Sequence, residues 1–138
     1  MNCEVKKLSM ALGAEITGID LCKVSDNDIE EIKSLLTEHM VLFFPGQRIT
    51  QDEHVEFGAK FGELEGHPNL KNKTVTHPKI FELAASTGGI ADEWHTDITY
   101  QDSPAIMSVL HMVKCPELGG DTMWSNLNAA YEALSDPL

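Results

Sequence analysis

The chain has 138 residues, 42% of them hydrophobic and 23% charged, which is the balance of a globular protein of about one domain. Ten Lys and Arg against 22 Asp and Glu leave a formal charge of −12, which argues against nucleic-acid binding because neutralising phosphates takes clustered cations. No apolar run nears the roughly 18 residues of a membrane-spanning helix, and residues 1–7 lack the apolar segment of a secretory signal, so a cytoplasmic protein with no membrane partner is expected.

In chain order, residues 5–8 and 14–18 alternate loosely around Gly13 and Gly18 and predict a small N-terminal pair of strands. Ser25 followed by Asp28 is a helix-capping pattern, and Ile29, Ile32, Leu36 and Met40 recur at helical spacing behind it. Val41-Leu42-Phe43-Phe44, stopped by Pro45-Gly46, predicts a short strand buried on both faces. Thr50 with Glu53 repeats the capping pattern and predicts a helix running to Phe61, with Gly62 just past its end.

Residues 63–78 carry no periodicity and read as a loop. Strands are expected at 79–85, 94–99 and 105–113, then a turn around Gly119-Gly120 and a short return strand at 122–124. Ser125 is placed to cap a last helix with Leu127, Ala130, Tyr131 and Leu134 on one face, ended by Pro137. Cys3, Cys22 and Cys115 are too far apart for a zinc ribbon, redox pair or disulfide framework, so buried or half-buried free thiols are expected.

The chemistry centres on Trp94-His95-Thr96-Asp97. In a strand, alternate side chains share a face, so His95 and Asp97 would point the same way and Thr96 the other. Such a pair can supply two ligands of the 2-His-1-carboxylate facial triad that holds iron(II) with open positions. Alone, such a pair is more often a surface histidine beside a surface aspartate.

Other residues narrow the choice. Trp94-His95-Thr96-Asp97, Pro104, Gly119-Gly120-Asp121-Thr122-Met123-Trp124 and Ala129-Ala130-Tyr131-Glu132-Ala133-Leu134 closely resemble the taurine dioxygenase group of iron(II)/2-oxoglutarate-dependent dioxygenases. Leu12-Gly13-Ala14-Glu15-Ile16, Val41-Leu42-Phe43-Phe44 and Phe61-Gly62-Glu63-Leu64 with His67-Pro68 agree with it, so the resemblance runs through nearly the whole chain. It implies an α+β fold with a mainly β core, a partial double-stranded β-helix (jelly roll) flanked by helices, in a single domain spanning residues 1–138. It also implies an oxidoreductase that hydroxylates a small anionic substrate with dioxygen while 2-oxoglutarate is converted to succinate and CO2.

By the same resemblance His95 and Asp97 bind Fe(II), Thr122 hydrogen-bonds the 2-oxoglutarate carboxylate, and His67 and Ile98 contact the substrate. Trp94 is expected to pack in the core and His39 to be partly buried and structural. His111 is a discounted alternative as third ligand. Similar enzymes form dimers or tetramers, which makes a homo-oligomer a natural expectation.

Two positions depart from the taurine pattern. Leu70 stands where those enzymes have tyrosine, and Ala91 where they have asparagine, so polar partners for a substrate amine are missing. A site without such partners loses its selectivity for the group they would bind, which makes a sulfonate, sulfate ester or carboxylate as suitable as taurine. Arg48 is the only arginine, and the family's distal histidine and 2-oxoglutarate-binding arginine have no counterpart here. The resemblance therefore predicts a C-terminally truncated oxygenase with little turnover on its own. The alternatives are a non-catalytic jelly-roll binding module and a zinc hydrolase using Glu93 as base.

Overall fold

The computed structural model describes residues 3–65, 79–83 and 92–136. These fall into two compact units, one drawn from Met1–Ile49 and Lys114–Leu138, the other from Thr50–Val113.

The first unit is organised by a three-stranded mixed sheet in the order β1-β2-β3. Strand β1 (Glu4–Lys7) runs antiparallel to β2 (Ala14–Thr17), with Val5 opposite Ile16, as the N-terminal alternation predicts. Gly13 enters β2 at φ +91°, a left-handed conformation that costs glycine little. Strand β3 (Leu42–Phe43) pairs parallel to β2, Ala14 beside Leu42 and Glu15 beside Phe43. It is half-buried rather than buried on both faces, because it forms an edge of the sheet and only β2 has a strand on either side.

Between β2 and β3 the chain makes a short 3-10 turn, Leu21–Lys23, capped by Asp20, and then helix α1 (Asp26–His39). The predicted cap is present in full. The Ser25 hydroxyl accepts from the Asp28 N–H (3.3 Å), and the Asp28 carboxylate accepts from the Ser25 N–H (2.8 Å). Helix α1 buries Ile29, Ile32 and His39, which join the buried side chains of Ala14, Ile16, Leu21 and Val24. His39 is thus structural, as expected, and its backbone carbonyl accepts from the Gly13 N–H at 2.8 Å.

Past Lys114 the chain bends at residues 117–119, in the region where the sequence predicts a turn, and Gly119 and Gly120 both take positive φ. Residues 122–124 form no strand, although the Trp124 ring meets the Phe43 ring edge-on at 5.4 Å. Helix α3 (Leu127–Glu132) is capped by Asn126 rather than Ser125. The Asn126 side chain does two things that Ser125 does not: its Oδ1 accepts from the Ala129 N–H (2.9 Å), and its Nδ2 donates to the Ala11 carbonyl (2.8 Å).

The second unit begins with α2 (Gln51–Ala59), whose Thr50/Glu53 capping box matches the sequence pattern. The helix stops at Ala59 instead of reaching Phe61; a tighter turn follows, in which the Phe61 N–H donates to the Gly58 carbonyl at 3.1 Å and the Phe61 ring meets Phe57 edge-on at 5.2 Å. Residues 94–99 and 105–113 are not strands, nor are 79–83; positions 84 and 85 lie outside the described residues. The first of these segments bends sharply at Ile98. The second keeps a strand-like alternation, with Met107, Val109 and His111 half-buried and Ile106, Ser108, Leu110 and Met112 exposed, but it has no ladder partner among the described residues. The expected α+β class holds as a small mixed sheet with helices; no jelly roll is formed by the described strands.

Candidate metal site

His95 and Asp97 come together, though by a different local route from the strand predicted for them. Ile98 adopts φ +44° immediately after Asp97, a left-handed conformation that β-branched residues rarely enter. The Gln101 N–H then donates to the Ile98 carbonyl at 3.1 Å, closing a tight turn. On its N-terminal side, His95 Nε2 lies 3.2 Å from Asp97 Oδ1. Both side chains are open to solvent, 58% and 71% exposed. Trp94, expected in the core, is exposed as well, since no sheet forms here to cover it.

The other ring nitrogen decides what this pair can do. His95 Nδ1 donates to the Glu93 carbonyl at 2.8 Å, an acceptor that cannot donate in return. With the proton held at Nδ1, a neutral ring presents the Nε2 lone pair to a carboxylate oxygen. Two acceptors at that distance are satisfied only by a shared proton or a cation. The pKa of His95 is accordingly raised, chiefly by the Glu93 carbonyl, against an opposing effect of desolvation that exceeds the further upward push of the Asp97 charge.

The donor set fits a metal ion. Ligands about 2.1 Å from one ion and at about a right angle stand about 3 Å apart, close to the spacing found. A histidine whose second nitrogen is tied to a backbone carbonyl is the usual outer support of a metal ligand. Among the described residues no group of three His, Cys, Asp or Glu side chains could hold a metal together. His111 thus does not join the pair; its ring lies edge-on to His54 at 5.8 Å. His54 Nε2 in turn lies 2.9 Å from the Val109 carbonyl.

Ile98 is half-buried at the turn beside Asp97, whereas Thr122 is exposed and belongs to the first unit. His67, Leu70 and Ala91 lie outside the described residues. None of the three thiols is in a disulfide; Cys22 and Cys115 are exposed rather than buried and Cys3 is half-buried. Burial pushes the Cys3 thiol pKa up, and the Glu31 charge adds to it.

Residues 4–138 match the family model described as "Taurine catabolism dioxygenase TauD, TfdA family". The chain belongs to the TauD/TfdA family. Among curated members, an alkylsulfatase of Acinetobacter baylyi is 41% identical over 140 residues, covering 98% of this chain and 43% of the relative. An alpha-ketoglutarate-dependent sulfate ester dioxygenase of Pseudomonas putida is 36% identical over 140 residues, covering 100% of this chain and 46% of its own length. The chain thus spans less than half the length of either relative. A solved taurine dioxygenase structure from Burkholderia xenovorans superposes with a TM-score of 0.50 and 38% identity, over 56% of this chain and 28% of that one. No helix among the described residues is long and apolar enough to cross a membrane.

Proposed function

We propose that this chain carries the iron-binding motif of an iron(II)/2-oxoglutarate-dependent dioxygenase that hydroxylates a small anionic substrate, with a sulfate ester or sulfonate as the leading class. The observation that carries the reading is the facing of His95 Nε2 and Asp97 Oδ1 at 3.2 Å, with His95 Nδ1 already engaged by the Glu93 carbonyl. Family membership and the relatives named for sulfate esters support the rest. Iron(II) with 2-oxoglutarate and dioxygen supplies the oxidising chemistry when bound.

This chain's residues have the preparatory tasks. His95 and Asp97 hold the metal from one side. The Glu93 carbonyl keeps the His95 proton on Nδ1, so that Nε2 is free to ligate. Thr122 is assigned to the co-substrate carboxylate, and His67 and Ile98 to substrate contact, on the family pattern. The whole belongs to a jelly-roll oxygenase domain, and two ligands hold iron weakly until a third ligand and a carboxylate-binding arginine join them.

The test is succinate release with iron(II), ascorbate and 2-oxoglutarate, run against sulfate esters, sulfonates and phenoxy acids. The expected result is slight turnover by the 138-residue chain and measurable iron(II) binding that His95→Ala abolishes. Unchanged iron(II) binding in His95→Ala overturns the metal assignment. Turnover without 2-oxoglutarate, supported better by zinc than by iron(II), overturns the oxygenase assignment in favour of a hydrolase. Robust turnover by this chain alone refutes the need for further ligands.

A further inference from the structure

The bend at the metal pair contains a contact to which the family pattern set out above gives no role. Thr96 Oγ1 and Thr99 Oγ1 are 2.5 Å apart, a hydrogen bond in which either hydroxyl can donate. Thr96 is the residue between the two ligands, so its backbone joins the peptide planes that carry His95 and Asp97. Thr99 lies just beyond the left-handed Ile98. The hydroxyl pair therefore spans the bend, with Asp97 and Ile98 enclosed between its ends, and the Gln101 N–H to Ile98 carbonyl bond lies on the C-terminal side.

We infer that Thr96 and Thr99 are positioning residues for the metal site: their hydroxyl bond fixes the bend so that His95 and Asp97 present Nε2 and Oδ1 to one ion. The physical need is specific. Both ligands are exposed, with no packed core to hold their rotamers. Orientation must then come from local bonds: the Glu93 carbonyl on the imidazole side and the threonine pair on the backbone between the ligands. The strained Ile98 backbone makes that second restraint necessary, because a left-handed isoleucine released from its turn relaxes toward extended conformations. Relaxation there would rotate the Asp97 carboxylate away from the imidazole. A valine at either threonine keeps the shape and branching and removes only the hydroxyl.

The inference rests on the metal assignment of His95 and Asp97, and the experiment separates the two. The probe is Co(II) alone, titrated into the whole chain and read by paramagnetic broadening of the His95 ring resonances, with thermal unfolding measured in parallel. Thr99→Val is expected to weaken Co(II) binding about three- to tenfold, the worth of one oriented hydrogen bond, and Thr99→Ser to restore it. The thermal midpoint should not move. The Thr96→Val/Thr99→Val double variant should bind no more weakly than either single variant, because both substitutions break the same bond. If Thr99→Val binds as tightly as the parent while His95→Ala loses binding, the positioning role is overturned and the metal assignment stands. If His95→Ala binds as the parent does, the metal assignment fails and the inference with it. Additive losses in the double variant would also overturn the bond as the cause.

Discussion

Replacing Ile16 by alanine tests the centre of the first unit. Ile16 is fully buried, at 0% exposure, on the middle strand of the sheet. Alanine removes three side-chain carbons, worth about 2.4 kcal/mol at about 0.8 kcal/mol each, and the residual cavity raises the loss to about 3–5 kcal/mol. Val5 provides the internal comparison, because it is the Cα partner of Ile16 on the edge strand, yet it is 40% exposed. Val5→Ala removes two carbons from a side chain that water already reaches, so its cost should be about 1 kcal/mol or less. Urea unfolding followed by far-ultraviolet circular dichroism measures both, with equal slopes required so that midpoint shifts report stability. A loss of about 3 kcal/mol is a large part of the total stability of a typical domain. Equal losses for the two variants would refute the placement of the core on β2.

Thr50→Ala should destabilise by about 1 kcal/mol through loss of the α2 cap, measured by the same urea unfolding; Thr50→Ser should recover most of it, because a hydroxyl can still accept from the Glu53 N–H. The α1 cap should be acid-sensitive. Bonds from the Ser25 side chain and backbone hold the Asp28 carboxyl below its ordinary value of 3.8. Since the folded pKa is depressed, the stabilisation is fully present above the ordinary value and is lost as pH falls through the lowered one. Amide chemical shifts of Ser25 and Asp28 followed from pH 6 downward should show that transition, and Asp28→Asn should abolish it.

What could be read from sequence divides along the range of the forces involved. The two capping boxes were legible because Ser25 with Asp28 and Thr50 with Glu53 settle their geometry within four positions. The choice between Ser125 and Asn126 was not, because both are competent caps and the Asn126 bond to Ala11 crosses 115 positions. The apolar periodicity of 105–113 was real, and its alternation survives in the burial pattern. A strand, however, is defined by a partner, and periodicity in one segment says nothing about whether another lies beside it.

At the site the pairing of His95 with Asp97 was legible, while the means was not. A two-residue spacing brings side chains together either on one face of a strand or across a local bend, and the unusual Ile98 conformation selects the bend. The Glu93 carbonyl was invisible for a simpler reason. It is a backbone atom, which every residue possesses, and only the fold says which carbonyl meets the imidazole. The link from His54 to Val109 is another contact of that kind.

The extended, unladdered segment around Val109 bears on how the protein behaves in bulk solution. Ile106, Leu110, Met112 and Val113 face water on a segment that pairs with no strand among the described residues, and exposed apolar segments of that kind favour association between chains. At neutral pH a charge of −12 on every molecule opposes such encounters. Near the isoelectric point of about 4.7 that repulsion disappears while the apolar side chains stay exposed. Association is therefore expected to grow in mild acid or high salt, where that repulsion is neutralised or screened, and light scattering across pH 7 to 4.7 checks it.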